Sequence, residues 1–177
     1  MFDYGFNNVW DNPETYFTKS FIHVFKQRAI DCFLQEWNTT LENSAVLELY
    51  RNIKVDFSYE KYLDVLPGDL RSYICKIRLS AHSLRIQTGR YARNRIPRNE
   101  RYCQYCNTND LEDEFHFILI CPCYSDTRKK LIRKYFYKNP SMFKFIELLK
   151  SDNRTNIVNL AKFIKNAVSI RTSLTHN

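Results

Sequence analysis

Glycine and proline are scarce in this sequence, which has three glycines and five prolines among 177 residues. So few leave little material for flexible linkers, and three scattered glycines cannot form a glycine-rich phosphate loop. No apolar run approaches the roughly 18 residues that a membrane helix requires. The N-terminal MFDYGFNNVWDNPE carries acids where a signal peptide needs positive charge. We therefore expect an intracellular protein, nuclear or cytoplasmic, that is not in a membrane and keeps its thiols reduced.

Hydrophobic residues make up 44% of the chain and aromatic residues 15%, which is typical of a globular protein. A chain of this length can bury one core and carry a small added module. We expect an N-terminal helical part at 1–66, a basic segment with a metal-binding module at 67–138, and C-terminal helices on the same core at 139–177. The predicted fold class is mainly α, a helical bundle with a small inserted zinc-binding turn or hairpin.

Apolar residues at three- and four-residue spacing predict most of the helices. The first prediction starts at Pro13 after an Asn12 cap and includes Phe17, and later helices have Ser125 and Ser141 as caps. Gly89 and Pro97 predict an irregular loop at 88–100. The predicted helices cover 13–37, short segments near 44–52 and 58–66, then 69–84, 125–137, 141–150 and 156–170.

Acids are almost absent between Arg71 and Arg101, where nine Lys or Arg face only Glu100. Four acids and no base follow within residues 107–114, and six bases and no acid lie at 128–138. Basic stretches of this kind favour a surface that meets nucleic-acid phosphates. The alternative is a solvated face whose charge is balanced by a partner or by the rest of a longer chain.

Four of the six cysteines lie between residues 101 and 124. Three of them form the pattern C-x2-C-x9-H-x4-C together with one histidine. Cys103, Cys106, His116 and Cys121 would fill a tetrahedron of three thiolates and one imidazole, which predicts a structural zinc site with no open position. Cys123 is the alternative to Cys121. Cys121 is preferred because Pro122 cannot continue the preceding helix.

The acids beside these cysteines are not expected to be metal ligands, because hard carboxylates fit a thiolate site poorly. They are expected to occupy the first turn of a helix, where negative charge is favoured. They are Glu112, Asp113 and Glu114. Glu114 has two further candidate roles, which are to orient the His116 imidazole or to pair with an arginine of the basic loop. His82 is expected to have a core or capping role.

Residues 78–131 resemble the region after the polymerase domain in reverse transcriptases of non-LTR retrotransposons. The matching elements are R-L-S-x-H-x-L-x-I-x-x-G-R-Y at 78–91, the first cysteine pair, D-E-F-H-F at 113–117 and C-P-x-Y at 121–124. The resemblance implies the same four ligands. The chain contains no Y-x-D-D polymerase motif and no obvious P-D…D/E-x-K nuclease signature. It would then be an accessory module without enzyme activity, whose partners are RNA or DNA and other parts of a reverse-transcriptase protein.

The predicted function is a non-catalytic, zinc-stabilised nucleic-acid-binding module without a small-molecule substrate. Tyrosines at 91, 102 or 105 would stack on an unpaired base, or else pack around the metal. The alternative is a zinc-stabilised protein–protein interaction domain. Whether the partner is RNA or DNA does not follow from the sequence. The residues predicted to contact nucleic acid are Arg85, Arg90, Tyr91, Arg93, Arg95, Arg98 and Arg101.

Overall fold

The structure is a computed structural model that describes residues 4–9, 11–16 and 18–175. Helices are the regular structure of these residues, and they contain no β-strand, only one isolated antiparallel bridge between Tyr102 and Leu111. The mainly helical fold class is confirmed. The chain forms two compact units, Met1–Ala45 and Val46–Asn177. None of the helices described is long and apolar enough to cross a membrane.

The first unit contains helix α1, Pro13–Tyr16, and the long helix α2, Lys19–Asn43. The predicted single helix over 13–37 starts at Pro13 as expected, but it is interrupted before Lys19 and the second part extends to Asn43. Thr18 has an extended backbone and caps α2, since its hydroxyl accepts a hydrogen bond from the Phe21 amide at 3.2 Å. Phe17 lies outside the described residues.

The second unit contains eight further α-helices among its described residues, and α10 (Arg154–Thr175) packs on α4 (Tyr62–Val65), α5 (Gly68–Arg78) and α7 (Ser125–Leu131). Their side chains close one hydrophobic core, in which Phe117, Phe163 and Ala161 are at most 1% exposed. The metal-ligand candidates lie between α6 and α7. The helices are α3 Glu48–Ile53, α4 Tyr62–Val65, α5 Gly68–Arg78, α6 Arg85–Tyr91, α7 Ser125–Leu131, α8 Lys134–Tyr137, α9 Met142–Leu149 and α10 Arg154–Thr175.

Several helix boundaries differ from the sequence prediction. The helix predicted at 69–84 ends at Arg78 because Ser80 is in the left-handed region, with φ of 53°. The loop predicted at 88–100 begins as α6, so Gly89 does not interrupt the chain's helical path there. The Ser141 cap is confirmed, because its hydroxyl accepts a hydrogen bond from the Lys144 amide at 3.3 Å.

The boundary between the two units falls after Ala45, whereas the sequence placed its first boundary at residue 66. The physical reason is the core of the second unit. Ile53 and Leu66 are 3% and 1% exposed and belong to the same cluster as Ile74 and Ile164. Residues 46–66 therefore pack with the helices that follow them.

Candidate metal centre

The four predicted ligands come together at one point of the second unit. Cys103 and Cys106 lie in a hairpin that is held by the Tyr102–Leu111 bridge and by a 2.9 Å hydrogen bond from the Cys103 amide to the Asp110 carbonyl. His116 and Cys121 flank the hairpin on the following helical turn. One donor atom from each of the four ligands lies within 4.8 Å of all the others.

The turn that carries the second ligand pair is π-helical, over His116–Ile120. Its closing hydrogen bond runs from the Cys121 amide to the His116 carbonyl at 2.7 Å, five residues back. A helical segment with Cys121 at its end was expected from the sequence. The extra residue in the π turn brings Cys121 itself, and not Ile120, next to His116.

The donor atoms are close enough together to share one metal ion. Metal–sulfur bonds of about 2.3 Å separate neighbouring ligand atoms by roughly 3.5–3.8 Å, and the Cys106 Sγ lies 3.4 Å from the His116 Nε2. Cys103, His116 and Cys121 are 7%, 2% and 0% exposed. Cys123 is not in the cluster, because its thiol donates instead to the Tyr105 carbonyl at 2.8 Å.

Burial controls the protonation of these ligands. It raises the pKa of Cys103 to about 11 and also raises the pKa of Cys121. For Cys106 burial acts in the same direction, but hydrogen bonds from the Thr108 side chain and backbone outweigh it and lower the pKa. Burial lowers the pKa of His116, so its imidazole is neutral near pH 7 and available as a metal ligand.

The second nitrogen of the imidazole faces an acid. His116 Nδ1 is buried, has no hydrogen-bond partner, and lies 3.6 Å from an Asp110 carboxylate oxygen. A metal on Nε2 would leave the proton on Nδ1, directed toward that carboxylate, which is the usual arrangement around a metal-bound histidine. The Asp113 carboxylate accepts a hydrogen bond from the His116 amide at 2.7 Å.

Glu114 takes neither of the two roles considered for it. Its carboxylate accepts hydrogen bonds from the Ser80 hydroxyl at 2.9 Å and pairs with His82 Nε2 at 2.7 Å. The other ring nitrogen of His82 accepts from the Leu84 amide at 3.3 Å. Residues 101–124 are called the metal-binding segment. His82, in the turn after α5, therefore contacts this segment.

Glu112 is the site residue that sequence reasoning missed. It is 2% exposed, its carboxylate accepts from the Arg85 amide at 2.8 Å, and it is paired with Arg171 of α10. Cys103 Sγ lies 3.9 Å from the same carboxylate. Glu112 and Arg171 are 59 residues apart, so no local pattern signals their pairing.

Arg101 was predicted to contact nucleic acid, but the structure places it inside the protein. Its side chain is 5% exposed and donates to the carbonyls of Ile86 at 2.7 Å and Ile96 at 2.8 and 3.0 Å. Gly89 makes room for it, since a Cβ there would lie 2.9 Å from Arg101 side-chain atoms. The guanidinium is therefore used within the protein and is left out of the candidate interface.

The other predicted contact residues form the basic segment, residues 85–98. Arg85 and Arg90 are partly buried, whereas Arg93 and Arg95 are exposed and make no hydrogen bond or ion pair with any described residue. Arg98 is exposed and pairs with Glu48 at 2.8 Å. Burial lowers the pKa of Arg101, and the nearby charges of Arg90, Arg95 and Arg98 lower it further.

The three tyrosines considered for base stacking differ in their surroundings. Tyr91 and Tyr102 are 76% and 46% exposed, so their rings are open to solvent. Tyr105 is half-buried, and the Arg171 guanidinium carbon lies 4.4 Å from the centre of its ring. Tyr105 therefore packs beside the metal ligands, as the alternative for these tyrosines predicted.

Comparisons with models of known protein families, with the sequences of curated proteins and with solved structures found no match for this chain. Its function must therefore be inferred from the chemistry of its own residues.

Proposed function

We propose that Cys103, Cys106, His116 and Cys121 hold a structural zinc ion. The observation that carries this proposal is the convergence of three sulfurs and one imidazole nitrogen within 4.8 Å of one another. Thiolate and imidazole are the donors that suit zinc, and four of them leave no position for a substrate or water. The metal would stabilise the hairpin and π turn and take no part in a reaction.

We further propose that the second unit binds nucleic acid through its basic segment, as a module without enzyme activity. Two exposed arginines that have no partner among the described residues, together with exposed Tyr91 and Tyr102, combine phosphate-binding charge with stacking surfaces. Three of the four acids at 107–114 already have a partner: Glu112 pairs with Arg171, Glu114 with His82, and Asp113 with the His116 amide. The fourth, Asp110, faces His116 Nδ1 at 3.6 Å. The resemblance to the accessory region of non-LTR reverse transcriptases points to the same class of partner.

Native mass spectrometry tests the metal site. The wild-type chain is expected to carry one zinc, and Cys106→Ser is expected to lose it. Cys123→Ser is the matched control, because it removes a nearby thiol that lies outside the cluster. Zinc retention by Cys106→Ser, or a wild-type chain without zinc, would contradict the proposal.

Fluorescence anisotropy with labelled single-stranded RNA, single-stranded DNA and duplex DNA tests the second proposal. Binding is expected to weaken steeply with salt, and the Arg93→Ala/Arg95→Ala double variant is expected to lower the salt slope by about one to two. Lys26→Ala/Arg28→Ala is the matched control, since it removes the same charge from exposed positions of the first unit. Absence of binding to all three probes would favour the protein-interaction alternative.

A further inference from the structure

The carboxylate of Glu112 is a meeting point of three parts of the second unit. It lies 3.9 Å from the Cys103 sulfur, accepts from the Arg85 amide at the start of α6 at 2.8 Å, and forms a two-pronged pair with Arg171 near the end of α10. The Nη2–Oε2 arm of that pair is 3.2 Å long. A carboxylate that is 2% exposed needs such partners, because an unpaired buried charge is costly.

Arg171 also contacts the metal-binding hairpin in a second way. Its guanidinium carbon lies 4.4 Å from the centre of the ring of Tyr105, which sits between the two hairpin cysteines. The same guanidinium donates to the Ser83 carbonyl at 3.1 Å. Arg171 of α10 thus contacts the hairpin through the Glu112 carboxylate and the Tyr105 ring. It also contacts Ser83, which lies just before α6.

The charges explain why Arg171 would matter to a bound metal. Three thiolates around a divalent ion leave one net negative charge, and the Glu112 carboxylate adds another only 3.9 Å from the Cys103 sulfur. Two such charges repel strongly at low dielectric. Arg171 supplies the positive charge that lets a carboxylate sit beside a metal-bound thiolate.

We infer that Glu112 and Arg171 are positioning residues of the metal centre: Arg171 balances the charge of the Glu112 carboxylate beside Cys103, and the pair couples metal binding to the docking of the end of α10. The inference depends on the proposed metal site but is independent of nucleic-acid binding. It also links the metal to the basic segment, because Arg85 and Ser83 are held by the same pair.

Zinc affinity measured by competition with a chromophoric chelator tests this inference. Arg171→Met should weaken zinc binding about 10- to 100-fold, the range for losing a partner of a metal ligand. The Glu112→Gln/Arg171→Met double variant should bind zinc more tightly than Arg171→Met, because the carboxylate left without its partner is gone. Lys165→Met is the control on the same helix, since Lys165 forms an exposed pair with Asp69 at 2.9 Å.

Hydrogen exchange adds a readout of the coupling. Zinc should slow amide exchange at 165–175 in the wild-type protein and in Lys165→Met, but much less in Arg171→Met. Arg171→Lys keeps the charge but loses the bidentate hydrogen bonding, so it should have intermediate zinc affinity. This variant replaces Arg171→Met in the test if Arg171→Met does not fold.

The outcomes separate this inference from the proposed function. A wild-type chain without zinc overturns both. Zinc binding that is equally tight in wild type and Arg171→Met overturns the inference alone. A double variant that binds no better than Arg171→Met also overturns it, because the repulsion from Glu112 would then have no effect.

Discussion

The metal-binding segment and the basic segment contain the same residue type in two opposite environments. Arg101 at the start of the metal-binding segment and Arg128 in α7, just after it, are each 5% exposed and donate to backbone carbonyls. Arg93 and Arg95 of the basic segment are exposed and donate to no described residue. Arginine density therefore has two physical causes in neighbouring parts of this chain.

The cause of the difference is the backbone. Where the chain leaves the π turn, Arg128 donates to the carbonyls of Ile118 and Cys121, both at 2.7 Å. A guanidinium with five donors in a fixed plane can bind two such carbonyls at once. In the basic segment, Arg93 and Arg95 donate to no described residue and remain available to a ligand.

Loss of the metal from the metal-binding segment is expected to lower the free energy of unfolding more than any single arginine substitution. Chelation, or Cys121→Ser, is expected to lower the free energy of unfolding by about 4 kcal/mol when free zinc is about 1,000-fold above its Kd. Urea denaturation with zinc and with chelator measures this. Cys123→Ser should retain the zinc-dependent shift, and equal midpoints for wild type in the two conditions would contradict the prediction.

Zinc affinity is expected to fall as the pH is lowered. Burial raises the pKa of Cys103 to about 11 and raises the pKa of Cys121, so both thiols are protonated at pH 7 without metal and must release their protons to bind it. Burial lowers the pKa of His116, so it adds no proton near neutrality. Affinity is therefore expected to drop at least about 100-fold for each unit by which the pH is lowered, because Cys103 and Cys121 alone release two protons. Chelator competition between pH 6.5 and 7.5 measures the slope, and a flat profile contradicts it.

The two arginine classes should respond differently to the same substitution. Arg101→Met removes the hydrogen bonds that the guanidinium donates to the carbonyls of Ile86 and Ile96 and is expected to cost about 2 kcal/mol of stability. Arg95→Met is expected to cost less than about 0.5 kcal/mol and to weaken nucleic-acid binding instead. Urea denaturation and anisotropy measure the two effects. Equal destabilisation by both variants would remove the distinction.

Local patterns were sufficient to predict which four Cys and His side chains lie together, and much of the helical structure. The spacing from Cys103 to Cys121 predicts this cluster because the hairpin and the turn that hold it are short-range structures. Ser141 could be recognised as a cap for the same reason, since its partner is three residues away.

Contacts between distant residues were not predictable from these patterns. Arg78 belongs to the basic stretch 71–101 but is 4% exposed, because it pairs with Glu60 and donates to the Leu149 carbonyl at 2.6 Å. Glu112 looked like an ordinary first-turn acid, and its partner lies 59 residues further along the chain. Apolar spacing carries no information about which charged side chains the tertiary structure will bury together.

Gly89 provides a test of how closely the buried Arg101 side chain is packed. A Cβ there would lie 2.9 Å from the Cγ, Cδ and Nε of Arg101, which is held by its own hydrogen bonds. Gly89→Ala should therefore destabilise the protein by about 1–2 kcal/mol, despite the usual gain from alanine in a helix. Thermal melts measure this against Gly68→Ala, where a Cβ meets no described atom within 4 Å and a small gain is expected. If crowding by Arg101 is the cause, Gly89→Ala should be neutral or stabilising in an Arg101→Ala background.

The smallest effect concerns Arg98, the exposed arginine whose charge is partly neutralised. Its pair with Glu48 is 2.8 Å long, and the two side chains are 55% and 49% exposed, so its strength is about 0.2–1 kcal/mol. Glu48→Gln should raise nucleic-acid affinity about twofold at low salt, with little change in stability, and the gain should vanish at high salt. Asp69→Asn is the matched control, because it also removes one acid from an exposed pair, that with Lys165 at 2.9 Å. An equal gain from both variants would mean that net charge drives binding; a gain from Glu48→Gln alone would place the nucleic acid on the basic segment.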